Sequence, residues 1–325
     1  MPLIDTNSYH PSYLLRMAHL STILPNLSRR VSRPDYKRLR IDTPDKDFID
    51  LDISEIGAEQ VAIITHGLEG SADRDYMRSV VNTLNNNGFD AIAINLRGCS
   101  GVANNLFSSY HSGKTDDLDL VVNYAVQSSN YKKIVLIGFS LGGNITLKYL
   151  GEKGSDIHPL IRSAAAISVP VMLKDSADQL AKRANSIYMR RFIRMLKPKI
   201  RAKAKRFPMN LESENVEGIK DFYDVDNLYT APAHGFTSAE DYWEKSSALQ
   251  FLKDITIPTL LINAKDDPFL STSCFPEKEA KESQYFYFEA PSYGGHVGFA
   301  SRIFEKGPYW HERRMIEFFG EKAIL

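Results

Sequence analysis

Residues 133–150 read KIVLIGFSLGGNITLKYL, and this stretch decides the fold. A strand-length apolar run, Lys133–Phe139, leads into Gly138-Phe139-Ser140-Leu141-Gly142, which fits the pattern G-x-S-x-G, and a helix-like segment follows. A nucleophile elbow needs this order of strand, sharp turn and helix. The glycines have a steric reason, because a Cβ two residues before or after the serine would collide with a neighbouring strand or helix. Taken alone, the motif also fits a plain turn whose small residues permit close packing.

Strand-like and helix-like segments alternate on both sides of this stretch. Such a rhythm indicates βαβ units and a parallel sheet with right-handed crossovers. The predicted strands are Asp47–Ile53, Val61–Thr65, Ala91–Leu96, Lys133–Phe139 and Ser163–Val169. The predicted helices are Asp75–Asn87, a segment that ends near Gln127, and Leu141–Leu150.

The rhythm stops at Pro170, and residues 171–250 contain no convincing strand. Strand patterns return at Pro258–Ala264 and Gln284–Glu289, and a terminal helix follows near Tyr309–Phe319. We therefore predict a core interrupted by a mostly helical lid insertion. The predicted division is an N-terminal extension (1–35), the first part of the core (36–170), the lid insertion (171–250) and the second part of the core (251–325).

Composition excludes several classes of protein. The 325 residues are 43% hydrophobic and 25% charged, which excludes wholesale disorder. Lys+Arg and Asp+Glu are both 40, so the chain is a poor candidate for nucleic-acid binding, which depends on excess positive charge. Two cysteines, Cys99 and Cys274, cannot form a disulfide framework and are expected to be free thiols. No apolar run has membrane-helix length and no signal peptide is visible, so we expect a soluble cytoplasmic protein.

A serine becomes a nucleophile when a base takes its proton and an acid orients that base. In the α/β-hydrolase arrangement the acid and then the histidine follow the serine along the chain. His296 lies in a loop after a predicted strand, whereas His311 lies in the terminal helix and is expected at the surface. Lys265-Asp266-Asp267-Pro268 follows the preceding strand, and we favour Asp267 over Asp266 as the acid. An Asp-Asp-Pro sequence is also a common turn initiator.

Two backbone amides are candidates for an oxyanion hole. His66-Gly67-Leu68 ends the strand Val61–Thr65, and in this fold the loop at that place supplies one amide. The residue after the nucleophile supplies the other. We therefore predict that the N–H groups of Leu68 and Leu141 bind the oxyanion.

The chain resembles the YheT-like branch of the α/β-hydrolase superfamily nearly end to end. The matching blocks are HLSTILPNL (His19–Leu27), DFIDLD (Asp47–Asp52), HGLEGS (His66–Ser71), NLRGCSG (Asn95–Gly101), SYHSGKTDDL (Ser109–Leu118), GFSLGGN (Gly138–Asn144), TAPAHGF (Thr230–Phe236), AKDDPF (Ala264–Phe269) and GGHVGF (Gly294–Phe299). The resemblance implies an α/β-hydrolase fold, with a mostly parallel central sheet flanked by helices. It also implies a carboxyl-ester hydrolase with Ser140, Asp267 and His296 as nucleophile, acid and base.

The predicted function is therefore hydrolysis of a small-molecule carboxylic ester, with a short- to medium-chain or lipid-like acyl group, through an acyl-enzyme. An acyltransferase or thioesterase could use the same triad, and a non-catalytic binding protein could use the same fold. No cofactor or metal is expected. Asp116 and Asp117, near His111, are interpreted as favourable charges at a helix N-terminus.

The lid insertion carries two features that bear on the substrate. Lys182–Arg206 contains eleven Lys/Arg and no acidic residue. It is predicted to form a solvated lid-helix face, with weak contact to anionic lipid or attraction to an acidic substrate as the alternative. Six aromatic residues are candidates for lining an acyl pocket or for ordinary packing: Phe222, Tyr223, Tyr229, Phe236, Tyr242 and Trp243.

Overall fold

A central sheet organises the computed structural model, which describes residues 3–5, 8–128 and 131–321. Within these residues the sheet has nine strands in the order β1-β9-β8-β7-β6-β4-β5-β3-β2. The strands are β1 (Leu3–Ile4), β2 (Lys37–Asp42), β3 (Phe48–Ser54), β4 (Gln60–Thr65), β5 (Asp90–Asn95), β6 (Lys133–Phe139), β7 (Ile161–Ile167), β8 (Thr259–Ile262) and β9 (Phe286–Glu289).

Neighbouring strands pair parallel from β1 through β9, β8, β7, β6 and β4 to β5. The β5–β3 and β3–β2 pairs at the other side of the sheet are antiparallel. This pattern confirms the predicted α/β-hydrolase fold with a mostly parallel sheet. The strands β4, β6, β8 and β9 end at one edge of the sheet, so the loops after them can meet. The predicted oxyanion loop, elbow, acid turn and histidine loop are these four loops.

Helices cover both faces of the sheet. Side chains of α3 and α4 pack in the hydrophobic core on one face, and side chains of α2 and α11 pack in the core on the other. The helices are α1 (Ala18–Ser28), α2 (Asp75–Asn86), α3 (Asp116–Ser128), α4 (Leu141–Lys153), α5 (Leu173–Ala181), α6 (Ser186–Arg206), α7 (Phe222–Val225), α8 (Ala231–His234), α9 (Ala239–Ser246), α10 (Glu277–Glu282) and α11 (Trp310–Glu321).

The chain between β7 and β8 is helical, as the missing strand pattern indicates. A π-helical turn, Asp226–Thr230, joins α7 to α8 there. The exact limits of the lid insertion, 171–250, stay a prediction. Among residues 3–5, 8–128 and 131–321, no helix combines the length and the apolar character needed to cross a bilayer.

Two strands lie outside the sequence-based prediction. The strand β1 extends the sheet beyond β9, with Leu3 opposite Phe288. The strand β2 pairs with β3, and Arg40 on β2 holds Asp50 on β3 through two hydrogen bonds of 2.7 and 2.9 Å. A two-residue strand has no periodicity to detect, and β2 carries charged residues along much of its length.

His311 is buried, so its predicted surface position is wrong. Its ring lies among Phe139, Phe299 and Tyr309, and neither ring nitrogen has a hydrogen-bond partner in the described chain. His311 lies on the face of α11 that packs towards the sheet. Its location in a predicted helix did not show which face of that helix would be buried. Burial holds the pKa of His311 well below its usual range.

His311 is predicted to make the protein less stable in mild acid. The unfolded chain takes up a proton at this histidine below about pH 6.5, whereas the folded protein resists it. For His311→Leu we expect the loss of unfolding free energy between pH 7 and pH 5 to be smaller than in the wild type by about 2 kcal/mol. Denaturant unfolding at both pH values measures the difference. The control is His10→Leu, at an exposed histidine, and an equal change in both variants would contradict the effect of burying His311.

Candidate active site

Ser140 sits in a strained turn between β6 and α4. Its backbone angles are φ 51° and ψ −118°, in the left-handed region that residues with a side chain rarely adopt. The Ser140 N–H donates to the Ile167 carbonyl on β7 at 2.8 Å, and the Ser140 carbonyl accepts from Asn144 N–H at 3.1 Å. The turn is therefore hydrogen-bonded to the sheet through the Ser140 N–H and to the helix through the Ser140 carbonyl.

The two glycines of the elbow let this turn pack against the sheet. A Cβ on Gly142 would lie 2.5 Å from the His66 carbonyl oxygen and nearer still to that of Thr65, at the end of β4. A Cβ on Gly138 would lie 2.6 Å from Gly143 Cα in α4. Both positions exclude a side chain because backbone atoms occupy the space, as the sequence pattern predicted.

Gly142→Ala is predicted to destabilise the protein by about 1–3 kcal/mol, because β4 and α4 must move apart to admit the methyl group. Chemical denaturation measures this change. Gly218→Ala is the matched control, since a Cβ there would meet no described atom within 4 Å. Equal stability of the two variants would contradict the close approach of α4 to β4.

The structure brings Ser140, His296 and Asp267 into one hydrogen-bonded row. His296 Nε2 lies 2.9 Å from Ser140 Oγ, and His296 Nδ1 lies 2.8 Å from Asp267 Oδ2. The Asp267 side chain is fully buried, and its other oxygen accepts from Phe269 N–H at 2.9 Å. Because a carboxylate only accepts, Nδ1 carries the proton and Nε2 is free to accept from the serine hydroxyl.

Asp266 does not contact His296 but holds the loop that carries it. Its Oδ1 accepts from Gly295 N–H at 2.8 Å, and burial raises the pKa of this carboxyl to about 6. The geometry thus separates the neighbouring acids: Asp267 faces the imidazole, and Asp266 faces the backbone beside it.

Two distant hydroxyls also fix the histidine loop, and sequence reasoning missed both. The backbone N–H of His296 donates to Thr22 Oγ1 on α1 at 3.0 Å. The backbone N–H of Val297 donates to Ser168 Oγ, in the loop after β7, at 2.9 Å. Thr22 lies within the HLSTILPNL block of the family resemblance, which was the only available signal for it.

The predicted oxyanion amide of Leu68 is aimed by the peptide before it. The Gly67 carbonyl accepts from His66 Nδ1 at 2.7 Å and from Gly70 N–H at 3.0 Å. In a trans peptide the N–H points opposite to the carbonyl, so the Leu68 N–H points away from these donors. A Cβ on Gly67 would lie 3.1 Å from Ser140 Cβ, which places this loop against the nucleophile candidate.

His66 is a further residue of the site that sequence reasoning did not single out as a side chain. It is fully buried, and its Nε2 accepts from Leu96 N–H at 3.1 Å while Nδ1 donates to Gly67. Burial lowers the pKa of His66 to about 4. A neutral imidazole with one donor and one acceptor therefore holds the peptide that carries the Leu68 amide.

A cavity of about 290 Å³ opens onto this constellation. Ser140, His296, Leu68 and Leu141 all line it. Leu141 is the first residue of α4, where a backbone N–H has no partner within the helix. Both predicted oxyanion residues therefore lie at the same cavity as the candidate nucleophile.

The lid insertion supplies most of the apolar side chains that line the cavity. Two of the six predicted aromatic residues do not line the cavity. Tyr223 is half exposed, and Phe236 packs on Tyr242. Four of the predicted aromatic residues join aliphatic side chains in the wall, which contains Leu173, Leu180, Phe192, Leu196, Ile200, Phe222, Val225, Tyr229, Tyr242 and Trp243.

The basic stretch divides between two faces of α6. Arg190, Arg191 and Arg194 are exposed, as the predicted solvated face requires. Lys199 and Lys203 both line the cavity, with Lys203 buried and the Lys199 side chain 44% exposed. The buried Lys203 ammonium donates to Asn104 Oδ1 at 2.6 Å, and desolvation lowers its pKa to about 8.

A buried charge pair near the cavity was not predicted. Arg97 contacts both oxygens of Asp117 at 2.8 and 2.7 Å and also reaches Asp45 Oδ2 at 2.7 Å. Asp117 therefore forms an ion pair with Arg97 in addition to placing a negative charge at the N-terminus of α3. The described residues hold no group of three or more His, Cys, Asp or Glu side chains arranged for a metal ion.

The comparisons with known proteins agree with this architecture. The family described as "Serine aminopeptidase, S33" (Hydrolase_4) matches residues 57–286. The Escherichia coli K12 protein named "Putative esterase YheT" is 34% identical over 308 residues, which cover 91% of this chain and 88% of that protein. A Saccharomyces cerevisiae monoacylglycerol lipase is 30% identical over 311 residues, covering 90% of this chain and 63% of that protein.

The esterase Pf2001 of Pyrococcus furiosus has the same fold, with a TM-score of 0.57 at 18% identity over 90% of this chain and 99% of that one. Fold and site together define an α/β hydrolase. The chain belongs to the Hydrolase_4 family, in the YheT-like esterase and lipase branch of the α/β-hydrolase superfamily. This membership confirms the predicted enzyme class, a carboxylic ester hydrolase.

Proposed function

We propose that this enzyme cleaves carboxylic esters of small molecules with Ser140 as nucleophile, His296 as base and Asp267 as the acid that orients it. The observation that carries the proposal is the continuous row from Ser140 Oγ to His296 Nε2 at 2.9 Å and from His296 Nδ1 to Asp267 Oδ2 at 2.8 Å. Such a row supports nucleophilic catalysis because each group sets the protonation state of the next.

In the first step, His296 Nε2 takes the hydroxyl proton while Ser140 Oγ attacks the ester carbonyl carbon. The carbonyl oxygen becomes an oxyanion, which accepts from the Leu68 and Leu141 amides. The buried Asp267 carboxylate stabilises the imidazolium formed. His296 then gives the proton to the departing alcohol, and an acyl-enzyme remains on Ser140.

Water then hydrolyses the acyl-enzyme, with His296 acting first as base toward water and then as acid toward Ser140. His296 takes a proton from water as the water oxygen attacks the acyl carbon, and the same two amides hold the second oxyanion. The proton then returns to Ser140 Oγ as the carboxylic acid leaves. These steps use side chains and backbone amides of this chain alone.

The cavity supports an apolar acyl group, short to medium in length or lipid-like, as the part of the substrate that enters it. Aliphatic and aromatic side chains from the lid insertion line the same cavity as Ser140. The imidazole of His296 packs near the Phe269 ring, with ring centroids 4.1 Å apart, so the apolar surface reaches the reacting centre. Burial of each acyl methylene should contribute about 0.8 kcal/mol to binding.

Ser140→Ala is expected to abolish ester turnover and labelling by a fluorophosphonate, measured with a p-nitrophenyl ester series of increasing acyl length. Asp267→Asn should lower kcat by on the order of 10⁴-fold, because the asparagine amide no longer holds the required tautomer of His296. Asp266→Asn is the matched control and should retain far more activity, since Asp266 Oδ1 accepts from the Gly295 N–H whereas Asp267 Oδ2 faces His296 Nδ1.

Three results would contradict the assignment. Labelling that persists in Ser140→Ala excludes this nucleophile, and equal losses in the two aspartate variants exclude Asp267 as the orienting acid. Absence of both turnover and labelling in the wild type favours a binding protein. Product analysis in water with added alcohols or thiols then separates hydrolysis from acyl transfer to those acceptors.

We also propose that the outer face of α6 makes weak contact with anionic lipid. Ile187, Arg190, Arg191 and Arg194 recur at spacings that place them on one side of the helix. Ile187 is 61% exposed, and the three arginines form no ion pair within the described residues. Cations beside an exposed apolar side chain suit a negatively charged interface.

Arg190→Gln/Arg191→Gln is predicted to reduce binding to phosphatidylcholine vesicles that contain phosphatidylserine on the order of tenfold, since each cation near the surface contributes about 1 kcal/mol. Sedimentation with vesicles at low salt measures it. Exposed Lys253 and Lys278 supply the control, Lys253→Gln/Lys278→Gln, which has the same charge change. Equal binding to pure phosphatidylcholine vesicles would contradict the contact.

A further inference from the structure

A lysine of the lid insertion that lines the cavity forms a salt bridge with the predicted oxyanion loop. Lys199 Nζ on α6 lies 2.8 Å from Glu69 Oε2, and Glu69 directly follows Leu68. The Glu69 side chain is only 4% exposed, so Lys199 is the charge partner of a buried carboxylate. A buried carboxylate requires such compensation, which makes the pair sensitive to the position of α6.

Glu69 is held in a conformation that it would not adopt freely. Its φ is 52°, and such a backbone persists where surrounding contacts determine it. The Glu69 N–H donates to the Tyr110 hydroxyl at 3.0 Å, and the same hydroxyl donates to Glu69 Oε1 at 2.8 Å. The Glu69 carbonyl accepts from Arg74 at 3.1 Å. Lys199 occupies the remaining carboxylate oxygen and completes this set of contacts.

We propose that Lys199 is a positioning residue that couples the closed position of α6 to the oxyanion hole. His66 and Gly70 fix the peptide before Leu68, and Tyr110 fixes the peptide after it. Lys199 holds the Glu69 carboxylate against Tyr110, so the lid helix stabilises the orientation of the Leu68 N–H. This inference rests on the proposed function of Leu68.

The coupling gives the lid insertion a part in the chemical step. With α6 in place, the Leu68 amide is ready for the charge that develops on the carbonyl oxygen. With α6 displaced, the Glu69 carboxylate loses its cation and the strained turn loses one of its restraints. Substrate binding in the apolar cavity is then less affected than transition-state stabilisation, which predicts a change in kcat rather than in KM.

The test compares Lys199→Met with wild type on a neutral ester, p-nitrophenyl butyrate, to which a lysine offers no charge interaction. We expect kcat to fall on the order of tenfold, a fraction of the 10²–10³ lost when an oxyanion donor is deleted, with little change in KM. Lys199→Arg should restore most of kcat because it keeps the cation. Lys197→Met is the control, because Lys197 lies on the same helix as Lys199 but its ammonium donates to the Glu217 carbonyl, outside that helix.

Glu69→Gln completes a double-mutant cycle. It should lower kcat to a similar extent, and combining it with Lys199→Met should add little, because both changes remove one interaction. Additive losses, an effect on KM alone, or an equal loss in Lys197→Met would each overturn the coupling. If Ser140→Ala is inert but Lys199→Met matches wild type, only the coupling fails. If Ser140→Ala stays active, the proposed function itself fails.

Discussion

The buried carboxylate of Asp267 is the group around which the site is arranged. A charge without access to water must be satisfied by hydrogen bonds, and here the two oxygens are satisfied by His296 Nδ1 and Phe269 N–H. The demand of this charge fixes which nitrogen of His296 carries the proton. The other nitrogen is thereby left as an acceptor facing Ser140. The remaining structure serves to bring the acid turn, the histidine loop and the elbow to one edge of the sheet.

The order of elements and the three polar side chains could be predicted because each depends on local pattern. Strand periodicity, the glycines around Ser140 and the position of Asp267 after a strand are all visible in short windows of sequence. The contacts of Thr22, Ser168 and Lys199 were not predictable in this way. Each joins segments far apart in the chain, and only the packing of α1, the loop after β7 and α6 brings them to the site.

Three histidines show why residue type alone does not assign a role. His296 has a carboxylate on one nitrogen and a hydroxyl on the other, so it can exchange protons. His66 is neutral and acts as a fixed donor and acceptor to two backbone groups. His311 lies among aromatic rings and contributes volume to the core. Burial and neighbours decide among these roles, and both are set by tertiary packing rather than by the local sequence.

The pairing of β1 with β9 joins segments that lie far apart in the sequence. Leu3 and Ile4 lie beside Phe288 and Glu289, and α1, the first α-helix after β1, supplies the Thr22 hydroxyl that holds His296. A growing polypeptide cannot form these contacts until the ribosome has made the strand near its other end. The sheet edge and the histidine loop are therefore completed only once both segments of the chain are present.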